Sequence, residues 1–280
     1  MNENASLSGE IITFYSYKGG TGRSMALVNV AYLLSKKVQP NEKILLIDWD
    51  LEAPGLHQFF REQFVSANNE QIDLPSEQKG LIDLFYEIKT RLQTSGNDDE
   101  IPEDFFHDLS IQNYLTKIGS SPLVLMPAGK FGDGLYSIRV NEFSWAEFFS
   151  THPTIIPQFA EYLRENYRYV LIDSRTGYTD ISGICTSIMP EKLVVAFTPN
   201  RQNLNGATEL IKRAINYRKQ SDDLRQLTIF PLPSRIESAE NKLQKEWRFG
   251  DSEKKIDGYQ KLFEDTLKEV YALSNYLKTL

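Results

Sequence analysis

The chain has few of the residues on which several protein classes depend. It has one cysteine in 280 residues, Cys185, so it cannot form an internal disulfide. Its three histidines, His57, His107 and His152, have neither the spacing nor the cysteine neighbours of a zinc site. No apolar run approaches the roughly 20 residues that cross a bilayer, and no repeat period is present. The sequence therefore excludes disulfide-stabilised, zinc-stabilised, membrane-spanning and repeat architectures.

The chain is also short of positive charge. It has 31 lysines and arginines against 38 acidic residues, a net charge of −7. Because this balance repels polyanions, we expect neither nucleic acid nor a membrane surface as a direct partner. The first nine residues lack the basic start and apolar core of a signal peptide, so we expect a cytoplasmic protein. A content of 41% hydrophobic and 25% charged residues is typical of one globular domain of this length.

A glycine-rich turn follows the first apolar run, residues 11–16. Residues 17–24 read Y-K-G-G-T-G-R-S and lead into a helix-forming stretch. Glycines let consecutive N–H groups turn toward a phosphate, and the N-terminus of the following helix adds partial positive charge. Arg23 offers a cation to phosphate oxygens, and the hydroxyl of Ser24 is placed to hold magnesium. The loop is a variant, because Tyr17 and Arg23 stand where the standard pattern has glycine and lysine.

Acidic residues follow two further apolar runs. Asp48 and Asp50 come directly after the run at 43–47, and Asp173 follows the run Y-V-L-I, with Gly177 four positions further on. In an open parallel sheet the carboxyl ends of the strands converge on one crevice, where ligands bind. The sequence therefore predicts that the glycine loop and these carboxylates form one nucleotide site.

Strand and helix patterns alternate along the chain. Apolar runs lie at 11–16, 43–47, 122–126, 168–172, 192–197 and 227–232, and helical patterns lie near 25–36, 155–166, 203–219 and 259–278. This alternation predicts an α/β fold in one domain, with a mostly parallel central sheet and helices on both faces. Aromatic residues between 131 and 149 are expected to pack in the core and not to form a base-stacking platform.

Together these motifs resemble the deviant-Walker-A ATPases of the ParA/MinD type, which are P-loop NTPases of the SIMIBI class. Within them the chain is similar to the bacterial variants whose loop reads K-G-G-x-G-R. The resemblance rests on the loop and on D-W-D-L-E-A-P-G-L at 48–56, L-I-D-S-R-T-G at 171–177, T-P-N-R-Q at 198–202 and P-S-R at 233–235. It implies that ATP and Mg²⁺ are the cofactors and that a homodimer forms with nucleotide at its interface.

The resemblance also implies a role for each matching residue. Lys18 is the signature lysine that reaches the nucleotide of the partner subunit, Asp50 positions the attacking water with Asp48 beside it, and Arg23 stabilises phosphate charge. Nucleotide contacts fall to Gly19, Gly20, Thr21, Gly22, Arg23, Ser24, Met25, Gly177, Asn200, Ser234 and Arg235. Magnesium falls to Ser24, Asp48 and Asp173. Arg23 departs from the lysine of the wider family, and a planar guanidinium is not equivalent to a compact ammonium.

A long polar segment at about 57–120 exceeds what a simple connection needs. Residues 81–92 and 105–118 carry enough apolar residues to form helices, and residues 95–100 form an acidic tip. We interpret the segment as a helical insertion, which is either a solvated elaboration or a partner-binding surface. The C-terminal helix pattern mixes acidic residues with lysines, so we expect it to dock on the sheet or on a partner and not on a membrane.

The leading hypothesis is a Mg·ATP-dependent molecular switch that hydrolyses ATP slowly or after activation by a partner. Loss of the γ-phosphate would release residues 174–179, where Arg175 would act as a sensor, and so change what the protein binds. The arginine-loop variants resemble components of bacterial conflict and signalling systems, so the regulated partner would act in antiviral defence or signalling. The alternative is a nucleotide-binding scaffold without turnover. A protein kinase of this fold is disfavoured because Tyr259, Tyr271 and Tyr276 follow a helical pattern. The choice between ATP and GTP stays open.

Overall fold

The computed structural model describes residues 8–64, 77–95, 101–102, 104–221, 225–236, 241–251, 253 and 256–272. Within them, seven strands form the central sheet: β1 (Glu10–Ser16), β2 (Ile44–Trp49), β3 (Thr116–Lys117), β4 (Leu123–Met126), β5 (Tyr169–Ser174), β6 (Lys192–Phe197) and β7 (Thr228–Pro233). Their order across the sheet is β3-β4-β2-β5-β1-β6-β7. All neighbours are parallel except β3, which runs antiparallel to β4.

Helices and short turns connect these strands. The helices are α1 (Arg23–Ser35), α2 (Leu81–Ser95), α3 (Tyr136–Glu142), α4 (Trp145–Thr151), α5 (Ile155–Asn166), α6 (Asp180–Gly183), α7 (Arg201–Gln220), α8 (Asn241–Phe249) and α9 (Tyr259–Val270). Two 3₁₀ segments cover Leu56–Gln63 and Ile111–Tyr114, and a π-helical segment, Ile184–Ile188, continues α6. A two-stranded hairpin of β8 (Gly250–Asp251) and β9 (Ile256–Asp257) lies between α8 and α9.

The core lies on both faces of the sheet because alternate side chains of each strand point to opposite faces. In β2, Leu45, Ile47 and Trp49 join one apolar cluster, whereas Ile44 and Leu46 join another. The first cluster receives α2 and α5, and the second receives α1. A third cluster joins β6 to α7 and α9. Every residue of β2 is buried, as expected of a central parallel strand that helices cover on both sides.

The predicted α/β fold is confirmed. Each of the six apolar runs contains or overlaps one strand of the parallel part of the sheet, and the four helical patterns correspond to α1, α5, α7 and α9. The acidic tip at 95–100 and the end of the C-terminal pattern after residue 272 lie outside the described residues, apart from the backbone of residue 95. No helix in the described ranges is long and apolar enough to cross a membrane.

A predicted helix over residues 105–118 is wrong, although the predicted helix over 81–92 is present as α2. The chain at 105–118 forms turns, the 3₁₀ segment Ile111–Tyr114 and the two-residue strand β3. Thr116 pairs with Leu125 of β4, and the N–H of Gly119 donates to the carbonyl of Gln63 at 3.1 Å. The backbone therefore bonds to neighbouring segments, while its apolar side chains are buried as a helix would bury them.

Candidate functional site

The strand order brings the predicted site residues together. In the sheet, β5 lies between β1 and β2, and all three strands run parallel. Asp48 pairs directly with Asp173 across β2 and β5, and the glycine loop leaves the same end of β1. Loop and carboxylates therefore meet at the carboxyl edge of the sheet, where parallel α/β folds bind ligands.

The glycine loop has the backbone of an anion-binding turn. Gly20 and Gly22 adopt left-handed conformations, with φ of 72° and 79°, which side-chain-bearing residues rarely adopt. Gly22 is the N-cap of α1, so no side chain caps the helix, and its first turn contains no acidic residue. A Cβ added at Gly19 or Gly22 would meet no atom within 4 Å. The helix start thus has no side-chain cap, and the open space at Gly19 and Gly22 leaves room for an anion beside it.

Arg23 points inward. Its Nε donates to Oδ1 of Asp173 at 2.5 Å and its Nη2 donates to Oδ2 of Asp50 at 2.8 Å. All three side chains are largely buried, and Arg23 is 7% exposed. The fork geometry of guanidinium suits this bridge, which a single ammonium does not reproduce. In this structure the loop cation is therefore the counter-ion of the carboxylates.

The carboxylates are held in an environment that favours protons or cations. Burial, followed by the charge of neighbouring Asp173, raises the pKa of Asp48 to about 8. Oδ2 of Asp48 accepts the N–H groups of Gly55 at 3.1 Å and Leu56 at 3.0 Å, whereas its buried Oδ1 has no hydrogen-bond partner. Burial also raises the pKa of Asp173, against the opposing effect of Arg23 and of the hydroxyl of Ser24.

The donor set fits a magnesium ion that is bound partly by phosphate. Among the described residues, no cluster of three or more His, Cys, Asp or Glu side chains would hold a metal ion alone. Magnesium commonly takes only one or two carboxylates and completes its shell with phosphate oxygens and water. The hydroxyl of Ser24, which bonds to Asp173, and the unpaired Oδ1 of Asp48 are oxygens of the required kind.

The remaining loop residues differ in exposure. Lys18 is exposed, and its ammonium lies 5.5 Å from the centre of the Tyr17 ring. Met25 is 57% exposed on the first turn of α1. Thr21 is buried, and its hydroxyl has no hydrogen-bond partner. Lys18 is thus free to reach outward, whereas Thr21 faces the interior of the loop.

Residues 174–179 contact several parts of the site. Gly177 is left-handed, with φ of 75°, and its carbonyl accepts the hydroxyl of Tyr15 at 3.2 Å. Arg175 forms a 2.5 Å ion pair with Glu52, and the hydroxyl of Tyr178 donates to the carbonyl of Gly206 at 2.7 Å. The segment is therefore tied to β1, to the loop after β2 and to α7.

Sequence reasoning missed two contacts of this site. The ring of Tyr17 packs on Gly206, where an added Cβ would lie 2.2 Å from the ring. A glycine inside a long helix was the available signal, because it costs about 1 kcal/mol relative to alanine unless something needs the space. The hydroxyl of Tyr136 donates to the carbonyl of Leu51 at 2.7 Å, and no pattern in the sequence indicated this contact.

The last three predicted nucleotide contacts, Asn200, Ser234 and Arg235, follow the ends of β6 and β7. Asn200 is exposed, and its side chain caps α7 by accepting the N–H of Asn203 at 2.9 Å. The N–H of Ser234 donates to the carbonyl of Phe197 at 2.8 Å. Arg235 has a left-handed backbone, and its Nη2 lies 3.8 Å from the position of a Cβ at Gly20. The structure thus places the guanidinium of Arg235 beside the glycine loop.

The fold and the loop geometry define a P-loop NTPase fold of the ParA/MinD type. The sequence matches no protein-family model, and comparison with curated proteins gave no match. Solved structures with this fold include a variant of Cyanothece McdA in complex with ATP (TM-score 0.57, 16% identity). The match covers 94% of this chain and 79% of McdA.

Two further solved structures agree in fold. A putative plasmid partition protein from Borrelia burgdorferi B31, bound to AMPPNP, has a TM-score of 0.55 and 18% identity over 97% of this chain and all of its own. Apo McdA from Cyanothece has a TM-score of 0.51 and 17% identity over 79% of this chain and 71% of its own. At these identities the similarity establishes the fold and not the activity.

Proposed function

We propose that this protein is a Mg·ATP-dependent switch of the ParA/MinD type. The observation that carries the proposal is the uncapped start of α1, which faces open space beside the carboxylates of β2 and β5. Two of the similar solved structures hold ATP or AMPPNP, which agrees with the proposal. We infer that residues 19–25 hold the phosphates and that Gly177, Asn200, Ser234 and Arg235 complete the nucleotide site.

In this proposal the chain supplies charge neutralisation and orientation, which phosphoryl transfer chiefly requires. Ser24, Asp48 and Asp173 would hold magnesium, which would neutralise phosphate charge when bound. Asp50 orients the water that attacks the γ-phosphorus, so that the β–γ bond breaks and inorganic phosphate leaves. Arg23 contacts Asp50 and Asp173, and it must exchange some of these bonds for phosphate before Asp50 can act on water.

The proposed role of Lys18 requires a second subunit. We infer a homodimer in which the exposed Lys18 of one subunit reaches the nucleotide of the other. Residues 174–179 respond to the γ-phosphate, because Gly177 and Tyr178 join this segment to β1 and α7. A protein partner then binds the altered surface. As the resemblance implies, this partner acts in bacterial defence or signalling. The proposal places the protein in the cytoplasm.

The inward position of Arg23 favours a second candidate, a scaffold that binds nucleotide without turnover. If the bridge persists with ATP bound, the guanidinium keeps Oδ2 of Asp50 occupied and the charge of Asp173 neutralised, which disfavours both water positioning and magnesium binding. The scaffold candidate has the same nucleotide site and the same dimer as the switch, and it differs only in that it does not hydrolyse ATP.

Phosphate release from Mg·ATP distinguishes the two candidates. We expect slow turnover by the wild type, none by Asp50→Ala, and little change in Glu165→Ala, which removes an exposed carboxylate at the end of α5 and serves as the control. ATP that binds and survives intact in the wild type would favour the scaffold or an enzyme that needs an activator. Light scattering after gel filtration tests the dimer, and Lys18→Ala should stay monomeric with ATP. A failure of ATP to bind the wild type would overturn both candidates.

A further inference from the structure

A small cavity lies beside the ends of β6 and β7 and adjoins the candidate nucleotide site. Its volume is about 170 Å³, and its walls are Pro199, Arg235, Ile236, Leu243, Gln244 and Trp247. Pro199 follows β6, Arg235 follows β7, and the last three residues lie on α8. The cavity therefore combines two strand ends of the sheet with a helix to which the sequence assigned no role.

The cavity is within reach of a nucleotide that is held at the glycine loop. In the sheet, β6 is the neighbour of β1, so the cavity opens at the strand end next to the loop. Arg235 joins the two places, because it lines the cavity while its Nη2 lies 3.8 Å from the Cβ position of Gly20. A ligand with its phosphates on the loop and its other end in the cavity would pass Arg235.

The backbone around this cavity is fixed in an unusual conformation. Arg235 has a φ of 51°, in the left-handed region where side-chain-bearing residues are strained. Such strain persists only where the surroundings impose it, and it is common at ligand sites. Here the N–H and the hydroxyl of the preceding Ser234 both donate to the carbonyl of Phe197, at 2.8 and 3.2 Å. The anchored turn directs Arg235 toward the loop.

Trp247 is the aromatic wall of the cavity. It is partly exposed and packs against the apolar cluster of α7 and α9, and it also lines a neighbouring cavity of about 520 Å³. A partly exposed indole in a cavity wall is a suitable platform for a nucleobase, whose flat ring stacks on aromatic side chains. A purely structural role for Trp247, in which it docks α8 on α7 and α9, uses only part of its surface.

We propose that Trp247 stacks against the purine base of a nucleotide whose phosphates lie on the glycine loop. This inference rests on the proposed function and adds a base-binding residue on α8. Gln244, on the same wall, presents an amide that donates and accepts hydrogen bonds, so it is placed to contact the polar edge of the base.

The experiment uses the intrinsic fluorescence of the full chain. The protein has three tryptophans, and Trp49 and Trp145 are buried in the core at 0% and 5% exposure. A fluorescence change on addition of Mg·ATP that disappears in Trp247→Phe therefore reports on Trp247. Tripolyphosphate, which lacks sugar and base, should raise the thermal midpoint without quenching the tryptophan.

Affinity gives an independent readout. Because loss of base stacking weakens binding by about tenfold or more, Trp247→Ala should bind Mg·ATP correspondingly less tightly. Trp247→Phe should bind within a few-fold of the wild type because it keeps an aromatic ring. Phe249→Ala removes an aromatic ring from the same helix that is 61% exposed and does not line the cavity, and it should bind as the wild type does.

The outcomes separate this inference from the proposed function. If Mg·ATP stabilises the wild type but leaves its fluorescence unchanged, and Trp247→Ala binds as tightly, the stacking inference is overturned and the nucleotide site stands. If Mg·ATP neither stabilises nor binds the wild type, both fall. Trp247→Phe keeps the test decisive should Trp247→Ala fail to fold.

Discussion

Replacement of Arg23 by alanine is the most direct test of the bridge between loop and carboxylates. The guanidinium pairs with Asp50 and Asp173, whose side chains are 12% and 3% exposed. Removal of one partner from a buried ion pair costs about 3–5 kcal/mol, because it leaves uncompensated charge in the interior. Since 1 kcal/mol shifts the midpoint of thermal unfolding of a domain of this size by about 2–4 °C, we expect the melting temperature of Arg23→Ala to fall by on the order of 10 °C.

The assays are thermal unfolding, for the midpoint, and urea unfolding, for the free energy, of the nucleotide-free protein in EDTA, with Arg91→Ala as the matched control. Arg91 pairs with Glu87 at 2.7 Å, close to the 2.8 Å of Arg23 and Asp50, but its side chain is 42% exposed. Exposed pairs of this kind contribute about 0.3–0.5 kcal/mol. Equal losses in Arg23→Ala and Arg91→Ala would refute the buried bridge.

The pH dependence of this loss gives a second check. In the wild type, Arg23 opposes the rise in the pKa of Asp173 that burial causes. Without the guanidinium that pKa rises further, so the folded variant holds a proton that the wild type releases. The destabilisation of Arg23→Ala should therefore shrink as the pH is lowered. A deficit that grows toward acid pH would contradict the assigned charges.

Two further perturbations follow from the same site. Burial raises the pKa of Asp48 from 3.8 in the unfolded chain to about 8, so the stabilising contribution of the protonated Asp48 is full below pH 4 and is lost as the pH rises to 8. Denaturant unfolding should therefore show that Asp48→Asn gains stability relative to the wild type between pH 4 and 8. A difference in stability that stays constant over this window would contradict the shift. Gly206→Ala should destabilise the protein by about 1–3 kcal/mol because the added Cβ would overlap Tyr17. Gly183→Ala is the control, since no atom lies within 4 Å of its added Cβ, and it should be neutral or stabilising. Equal melting temperatures for these two variants would refute the close contact.

The sequence patterns predicted the sheet well because each strand of the parallel core is an apolar run that needs both faces covered. They failed at residues 105–118, where apolar spacing alone does not distinguish a helix from turns with the same buried side chains. Tertiary pairing decided that segment, since Thr116 and Lys117 bond to the edge of β4. Long-range backbone pairing leaves no local signal in so short a strand.

The composition of the site was predictable, but the orientation of its cation was not. Strand-end motifs indicated that the loop, Asp48, Asp50 and Asp173 would lie together, and the register of β2 and β5 places them so. The assignment of Arg23 to phosphate stays a prediction, and the structure adds bonds from its guanidinium to Asp50 and Asp173 that no sequence pattern indicated. A sequence motif indicates which charged side chains lie close together, whereas the rotamer of Arg23 depends on the distances to those side chains and on their burial.

The two outer strands limit how copies of this chain can associate. β3 has two residues, and β7 contains Pro231 and Pro233, which have no N–H to donate. A strand from another molecule needs a run of free backbone donors and acceptors as its template, and proline or a very short strand interrupts that run. Among the described residues, both outer strands of the sheet are therefore poor templates for strand addition by another molecule.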